Sequence, residues 1–290
     1  MKLRQMMPNW LGITMVVAAV VAIFLWLGLP PSLRALGLHP RYAGPVHELQ
    51  GRRALIITTS HATLGASGKA TGVFGSEMTG PYYEFLDAGM SVDLASIHGG
   101  QVPIEPDSFR WFLAAPSDQR FLADPLFQSL VKASRKIDDV DFSQYDIIFL
   151  AGGWGAAYDL GTSALLGEKI SAAWAAGKVL GGVCHGPLGL LLARDRDGAP
   201  LVKGKHLTAV TDRQVEQLGI QITPQHPERE LRAAGALFES RHARFEPFAN
   251  HAVVDGKLVT GQNQNASVEV AQLMLMAAGG KQKEWKRNIR

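Results

Sequence analysis

Two kinds of hydrophobic pattern run along this chain. The first is one uninterrupted run, Trp10 to Leu29 (WLGITMVVAAVVAIFLWLGL), without a charged residue. At about 1.5 Å rise per residue its length matches a hydrocarbon core of about 30 Å. Lys2 and Arg4 precede it, Pro30-Pro31 follow it, and Trp10 and Trp26 sit near its ends, where amphipathic indoles favour the membrane interface. The run predicts a transmembrane anchor over 10–29 after a short amino-terminal segment, 1–9. A cleaved signal has a shorter apolar stretch of about 7–15 residues and a small-x-small site, and this run has no convincing one. Residues 30–50 contain Pro and Gly without sustained periodicity and read as a linker. Lys2 and Arg4 face Arg34, Arg41 and Arg52-Arg53 across the run, so the positive-inside comparison nearly balances. The expected orientation keeps the amino terminus inside and places the globular part on the periplasmic or external side of a bacterial membrane.

The second pattern is an alternation. Arg53–Thr59, Ser91–Ile97, Tyr145–Ala151 and Lys178–Cys184 are short β-branched runs of the kind buried in parallel sheets. Between them, Pro81–Ala88 and Ser163–Ala176 read as helices ending at Gly89 and Gly177. His206–Val210 predicts a further strand, Asp212 the cap of a short helix, Val253–Thr260 a hairpin turning on Asp255-Gly256, and Ala266–Ala278 a last helix. Strand and helix in alternation predict an α/β domain over 51–280, a three-layer sandwich around a mostly parallel sheet, with ligands at the C-terminal ends of the strands. A basic tail, 281–290, follows.

Composition narrows the function classes. The chain has 290 residues, 47% hydrophobic and 19% charged, which excludes a disordered polymer. Its 29 basic and 26 acidic residues are scattered, and without a basic stripe or a reader motif no nucleic-acid partner is expected. One cysteine, Cys184, excludes an internal disulfide and a CxxC site. His226, His242 and His251 lack metal-ligand spacing, so neither a metal nor another cofactor is expected.

The candidate chemistry lies in Val179–Gly189, VLGGVCHGPLG. A hydrophobic strand ends at Cys184, and Gly186-Pro187 opens a predicted helix. Gly182 and Gly186 flank the cysteine as glycines flank the serine of a G-x-S-x-G elbow, where a sharp turn lifts the nucleophile above the sheet. A helix amino terminus at this point would favour the thiolate, and His185 is placed to take or relay a proton. Alone, Cys184 would read as a buried filler; the glycines and the histidine turn the reading towards a reactive thiol. Gly152 and Gly153 in Ala151–Gly155 (AGGWG) end another strand at the same sheet edge, where the Gly153 and His185 amides are expected to form an oxyanion site.

Several motifs in fixed order then resemble the ThiJ/PfpI superfamily (class I glutamine amidotransferase-like), most closely its glyoxalase III and chaperone-like branch: Gly72-Val-Phe-Gly-Ser-Glu77, Pro81-Tyr-Tyr-Glu-Phe with Ala88-Gly89, Asp93-Leu-Ala-Ser96, Ala151-Gly-Gly153, Val183-Cys-His-Gly-Pro187 and Leu258-Val-Thr-Gly-Gln262. The likeness spans about residues 52–278 and does not include the apolar run. It implies a flavodoxin-like sandwich, often dimeric, with Cys184 as nucleophile, His185 beside it and Glu77 as an acid from another loop touching the sulfur. Repulsion between carboxylate and thiolate should raise the pKa of Glu77.

One departure affects the chemistry. Where the triad-bearing branch has its acid, three residues after the second member of a Thr-Asp pair, this chain has Thr211-Asp212-Arg-Gln-Val215, with Glu216 one place on and Glu228 further off. The acid that would orient His185 is thus missing from its expected place. The expected activity is a cofactor-independent, glyoxalase III-like conversion of methylglyoxal or related 2-oxoaldehydes to 2-hydroxy acids through a thiohemiacetal on Cys184, with deglycation of early aldehyde adducts by the same residues. The alternatives are a non-enzymatic stress chaperone or cysteine redox sensor, and a cysteine peptidase or amidase, which Val215 disfavours. The expected partners are a small aldehyde, the membrane and a second copy of the chain.

Overall fold

The structure, a computed structural model, describes residues 10–283. The amino-terminal segment with Lys2 and Arg4, the side chains of Trp10 and Leu11 and residues 284–290 of the basic tail lie outside the described residues. In chain order the principal elements are α1 (Trp10–Ala35), β1 (Arg53–Thr58), α2 (Gly75–Asp87), β2 (Ser91–Ser96), β3 (Arg135–Lys136), β4 (Ile147–Leu150), α3 (Ala164–Ala175), β5 (Val179–Val183), α4 (Asp212–Gln217), β6 (Ala252–Asp255), β7 (Leu258–Gly261) and α5 (Ser267–Ala277). Seven strands form one sheet in the order β6-β7-β5-β4-β1-β2-β3, parallel except for the β6–β7 hairpin.

The central strands are apolar on both faces because both faces are covered. In β1, Ala54 and Ile56 join the core under α2 and α5, whereas Leu55 and Ile57 join the core under α3. Ile147 and Phe149 of β4 point to the first core, Ile148 and Leu150 to the second. A strand buried on both sides has no polar positions to alternate with, which is why these runs read as continuous stretches. The expected flavodoxin-like α/β sandwich with a mostly parallel sheet is the fold observed.

Local boundaries depart from the sequence reading in four places. α2 begins at Gly75 and carries Pro81 in its second turn. His206–Val210 contributes only His206–Leu207, paired with Leu237–Phe238 outside the main sheet. The cap of α4 is Thr211, not Asp212: its hydroxyl accepts from the Gln214 backbone amide at 3.1 Å while the Gln214 side-chain Oε1 accepts from the Thr211 backbone amide at 3.1 Å. Pro30-Pro31 do not end the apolar helix, which continues to Ala35. The prolines withhold the amides that would serve the Trp26 and Leu27 carbonyls, and the Ser32 hydroxyl donates to the Gly28 carbonyl at 2.8 Å. Gly12–Ala35 is long and apolar enough to cross a membrane, and no part of its most apolar stretch is buried. His47–Glu48, in the expected linker, pairs antiparallel with Lys281–Gln282 at the start of the expected tail.

Candidate active site

β5 ends at Val183, and the next residue takes a backbone conformation that side chains rarely adopt: Cys184 has φ +59°. Left-handed backbone at a non-glycine residue costs about 1–3 kcal/mol and persists only where the surroundings enforce it. Here its amide donates to the Gly261 carbonyl of β7 and its own carbonyl accepts from the Val210 amide, both at 3.0 Å. The turn beyond is a short 3-10 helix, Gly186–Leu190, rather than the expected α-helix. The sharp turn read from the sequence is therefore present, with Cys184 held at the sheet edge and only 7% exposed.

Glu77 reaches the same point from a different element. It is in the first turn of α2, not in a loop as expected, with its amide donating to the Phe74 carbonyl at 3.0 Å. Since α2 follows β1 in a parallel sheet, its amino terminus lies at the C-terminal strand edge, where β5 ends. The carboxyl is buried. Burial pushes its pKa up to about 8, while the Cys184 sulfur and the Gly152 and Gly153 amides draw it back down. Those contacts leave Oε2 without a fully formed hydrogen bond. Desolvation, rather than the expected repulsion from sulfur, is the main cause of the shift. A Cβ on Gly152 would stand 2.5 Å from Glu77 Oε2 and 2.7 Å from the His185 amide, so the carboxyl and the elbow share a space that only glycine leaves open.

The expectation of a stabilised thiolate is not met. Burial and the adjacent Glu77 push the Cys184 thiol above its ordinary range, against the opposing pull of the Gly153 and His185 amides. A short 3-10 turn supplies too little aligned dipole to reverse two such effects. The pair Cys184–Glu77 thus rests protonated near neutral pH, and the first proton lost from it leaves the Glu77 carboxylate beside the thiol. The Gly153 and His185 amides face the sulfur, in the place predicted for an oxyanion site.

His185 is buried, with Nδ1 3.4 Å from the Cys184 sulfur. Its other nitrogen, Nε2, is buried without a hydrogen-bond partner. Burial, reinforced by nearby His226, lowers its pKa to about 3, so the ring is neutral. None of the acids considered from the sequence serves it. Val215 is wholly buried and apolar, Glu216 is exposed, and Glu228 accepts from the Asp212 amide at 3.0 Å and pairs with Arg232 at 2.9 Å. An imidazole without an acid behind it cannot hold the imidazolium that triad chemistry requires. Among the described residues no group of three or more His, Cys, Asp or Glu side chains is arranged to hold a metal ion.

The site opens into a cavity of about 310 Å³ with Cys184, Glu77, His185 and Gly153 in its lining. Two further contributors were not legible as site residues, Leu33 and Leu38, which follow the predicted membrane span. Nothing local in the sequence marked them, because they reach the cavity only through the docking of α1 on the domain.

The comparisons with known proteins agree with this geometry. The chain is 30% identical over 237 residues to Glyoxalase 3 of Candida albicans, covering 77% of this chain and 96% of that one. The crystal structure of glyoxalase III from Candida albicans superposes with a TM-score of 0.71 at 28% identity, covering 78% of this chain and 97% of the other. The Rapid Encystment Protein of 24 kDa from Francisella tularensis superposes with a TM-score of 0.73 at 30% identity, covering 78% and 99%. The profile of the DJ-1/PfpI family matches residues 69–277, and the chain belongs to that family, grouping with its glyoxalase III branch.

Proposed function

We propose that this chain is a membrane-anchored, cofactor-independent glyoxalase of the glyoxalase III type, converting methylglyoxal or a related 2-oxoaldehyde and water into the 2-hydroxy acid. The observation that carries this reading is the meeting of Cys184 with a protonatable Glu77 in an enclosed cavity, beside a histidine that lacks an acid. The Candida relative named Glyoxalase 3, similar along most of both chains, supports it.

The steps balance within the substrate. With Glu77 ionised, Cys184 sulfur bonds to the aldehyde carbon as its proton passes to the carboxylate, which hands it to the aldehyde oxygen and is left ionised beside the thiohemiacetal. The Glu77 carboxylate then takes the proton of that carbon and delivers it to the neighbouring carbonyl carbon through an enediol, while the hydroxyl proton of the first carbon passes to the oxygen of the second. The first carbon is oxidised to a thioester and the second reduced to an alcohol, with no outside oxidant. Water cleaves the carbon–sulfur bond, releasing the 2-hydroxy acid and restoring the thiol. With a pKa of about 8, Glu77 is matched to proton transfer near neutral pH, whereas His185, at about 3, is too weak a base. Early aldehyde adducts of amines and thiols present the same carbon centres, and deglycation by these residues belongs to the same proposal.

The test is D-lactate formation from methylglyoxal without glutathione by the detergent-solubilised full chain. Turnover is expected. A folded sample that makes no D-lactate but gains mass at Cys184 with peroxide would replace the enzyme by a redox sensor.

The anchor is tested separately. α1 should keep the protein in the membrane fraction through alkaline carbonate extraction, with the domain of residues 51–280 open to protease in spheroplasts. Release by carbonate would remove the anchor; protection from protease would reverse the orientation.

A further inference from the structure

We infer that the site takes amphipathic 2-oxoaldehydes whose alkyl chains enter from the bilayer, because the last turn of the membrane helix forms a wall of the catalytic cavity. This rests on the membrane-anchored glyoxalase reading above and names its substrate class.

α1 ends in a Schellman turn. With Gly37 at φ +111°, the Leu38 amide donates to the Leu33 carbonyl and the Gly37 amide to the Arg34 carbonyl, both at 3.0 Å. That motif brings together the side chains of its third-last helical residue and the second residue beyond the cap, and these are Leu33 and Leu38, both in the cavity lining. The turn is fastened to the domain on two sides: the His39 amide donates to Asn265 Oδ1 and His39 Nε2 bonds the Leu113 carbonyl, each at 2.8 Å. Further up the helix, the Trp26 ring lies 4.6 Å from that of Trp111. From Trp26 to Arg34 the helix rises about 12 Å, so the domain grips the last two turns of the apolar helix. Trp26 sits where an interfacial indole is expected, and Leu33 follows it by about 10 Å along the helix, so the cavity wall stands just outside the membrane surface.

The chemistry of the cavity fits an alkyl chain. Most of its lining surface is apolar, with Leu33, Leu38, Leu113, Leu218 and Phe248 among the contributors, and the lining also holds Glu105 and Asp107 besides Cys184 and Glu77. A volume of 310 Å³ holds about ten waters, well beyond the needs of a three-carbon oxoaldehyde. At and near the rim, Leu218 is 43% exposed, Trp111 40% and Leu36 59%, and such exposed apolar surface is normally covered by a partner or a lipid phase. An aldehyde head at Cys184 with its tail along these leucines would leave the bilayer without crossing water.

The experiment uses the full chain in phosphatidylcholine–phosphatidylglycerol nanodiscs and a series of straight-chain 2-oxoaldehydes from methylglyoxal to 2-oxododecanal. The expected result is a kcat/KM that rises with chain length, by up to about fourfold per buried methylene until the cavity is filled, with Leu38→Trp moving the optimum to shorter chains. 2-Oxododecanal in the same nanodisc as the protein should react faster than the same amount held in separate protein-free nanodiscs. Equal rates in those two arms would overturn entry from the bilayer. A flat or falling series with methylglyoxal still consumed would overturn the substrate class and leave the glyoxalase reading standing. Consumption of no aldehyde of any length would overturn both.

Discussion

Cys184→Ala is expected to lower kcat/KM for D-lactate formation from methylglyoxal by about a thousandfold or more, to the limit of detection, with the fold unchanged. The proposed covalent step forms on this sulfur, and no other cysteine exists in the chain to replace it. Alanine is a clean replacement because it fills most of the same space and meets the same left-handed backbone at φ +59°, so the thermal midpoint should move by only a few degrees. Cys184→Gly should regain stability, since glycine adopts that conformation without the strain of about 1–3 kcal/mol. Normal D-lactate formation by the alanine protein would remove the thiohemiacetal and the central argument of the proposed mechanism.

The second large effect is expected at Glu77. Glu77→Gln keeps the shape of the carboxyl but cannot carry a proton between sulfur and substrate, and turnover should fall by about a hundredfold or more. A stability measurement separates this role from simple disruption. In the native protein Glu77 holds its proton up to a pKa of about 8, whereas in the unfolded chain it ionises near 4.5. Its contribution is present in full below 4.5 and is lost as pH rises through 8, by about 1.4 kcal/mol for each pH unit between. His185 acts in the opposite direction: its native pKa is about 3 against an ordinary 6.5. Its contribution is present above 6.5 and is lost as pH falls towards 3. The slopes oppose one another between 4.5 and 6.5, which leaves 6.5 to 8 as the window in which Glu77 acts alone of the two. Wild type should lose about 2 kcal/mol of stability there, and Glu77→Gln should not. Parallel stability curves for the two proteins would mean that Glu77 is ionised in the fold.

Both predictions depend on a geometry that was only partly legible in the sequence. The elbow could be read because its signal is local: β5 is apolar, glycines flank Cys184, and the close approach of backbone to backbone tolerates nothing larger. Glu77 was named from resemblance, and the structure changes its physics as well as its place. It sits on a helix rather than a loop, and burial rather than charge repulsion sets its pKa. The thiolate expectation failed for the same reason, since a sequence pattern does not disclose how completely water is excluded from a side chain. Thr211 in place of Asp212 as the cap of α4 is a smaller case, because both residue types cap helices and only the backbone path chooses between them. The proline pair misled because a proline lowers the stability of a helix without forbidding it, and packing of the following turn on the domain holds the helix together beyond it.

What the sequence by itself determined is whatever depends on short-range pattern. The alternation of buried strands and helices, the apolar helix of membrane-spanning length, the sharp turn at Cys184 and the missing acid at Val215 are all written in residues adjacent along the chain. The tertiary structure alone decided which distant groups meet and how much water they retain. It brought Glu77 of α2 to the end of β5, left His185 Nε2 without a partner, and set Leu33 and Leu38, at and just beyond the end of the apolar helix, into the cavity that holds Cys184. Proton affinity and pocket shape depend on desolvation and on contacts between segments far apart in the chain, and these come into being only when the layers pack.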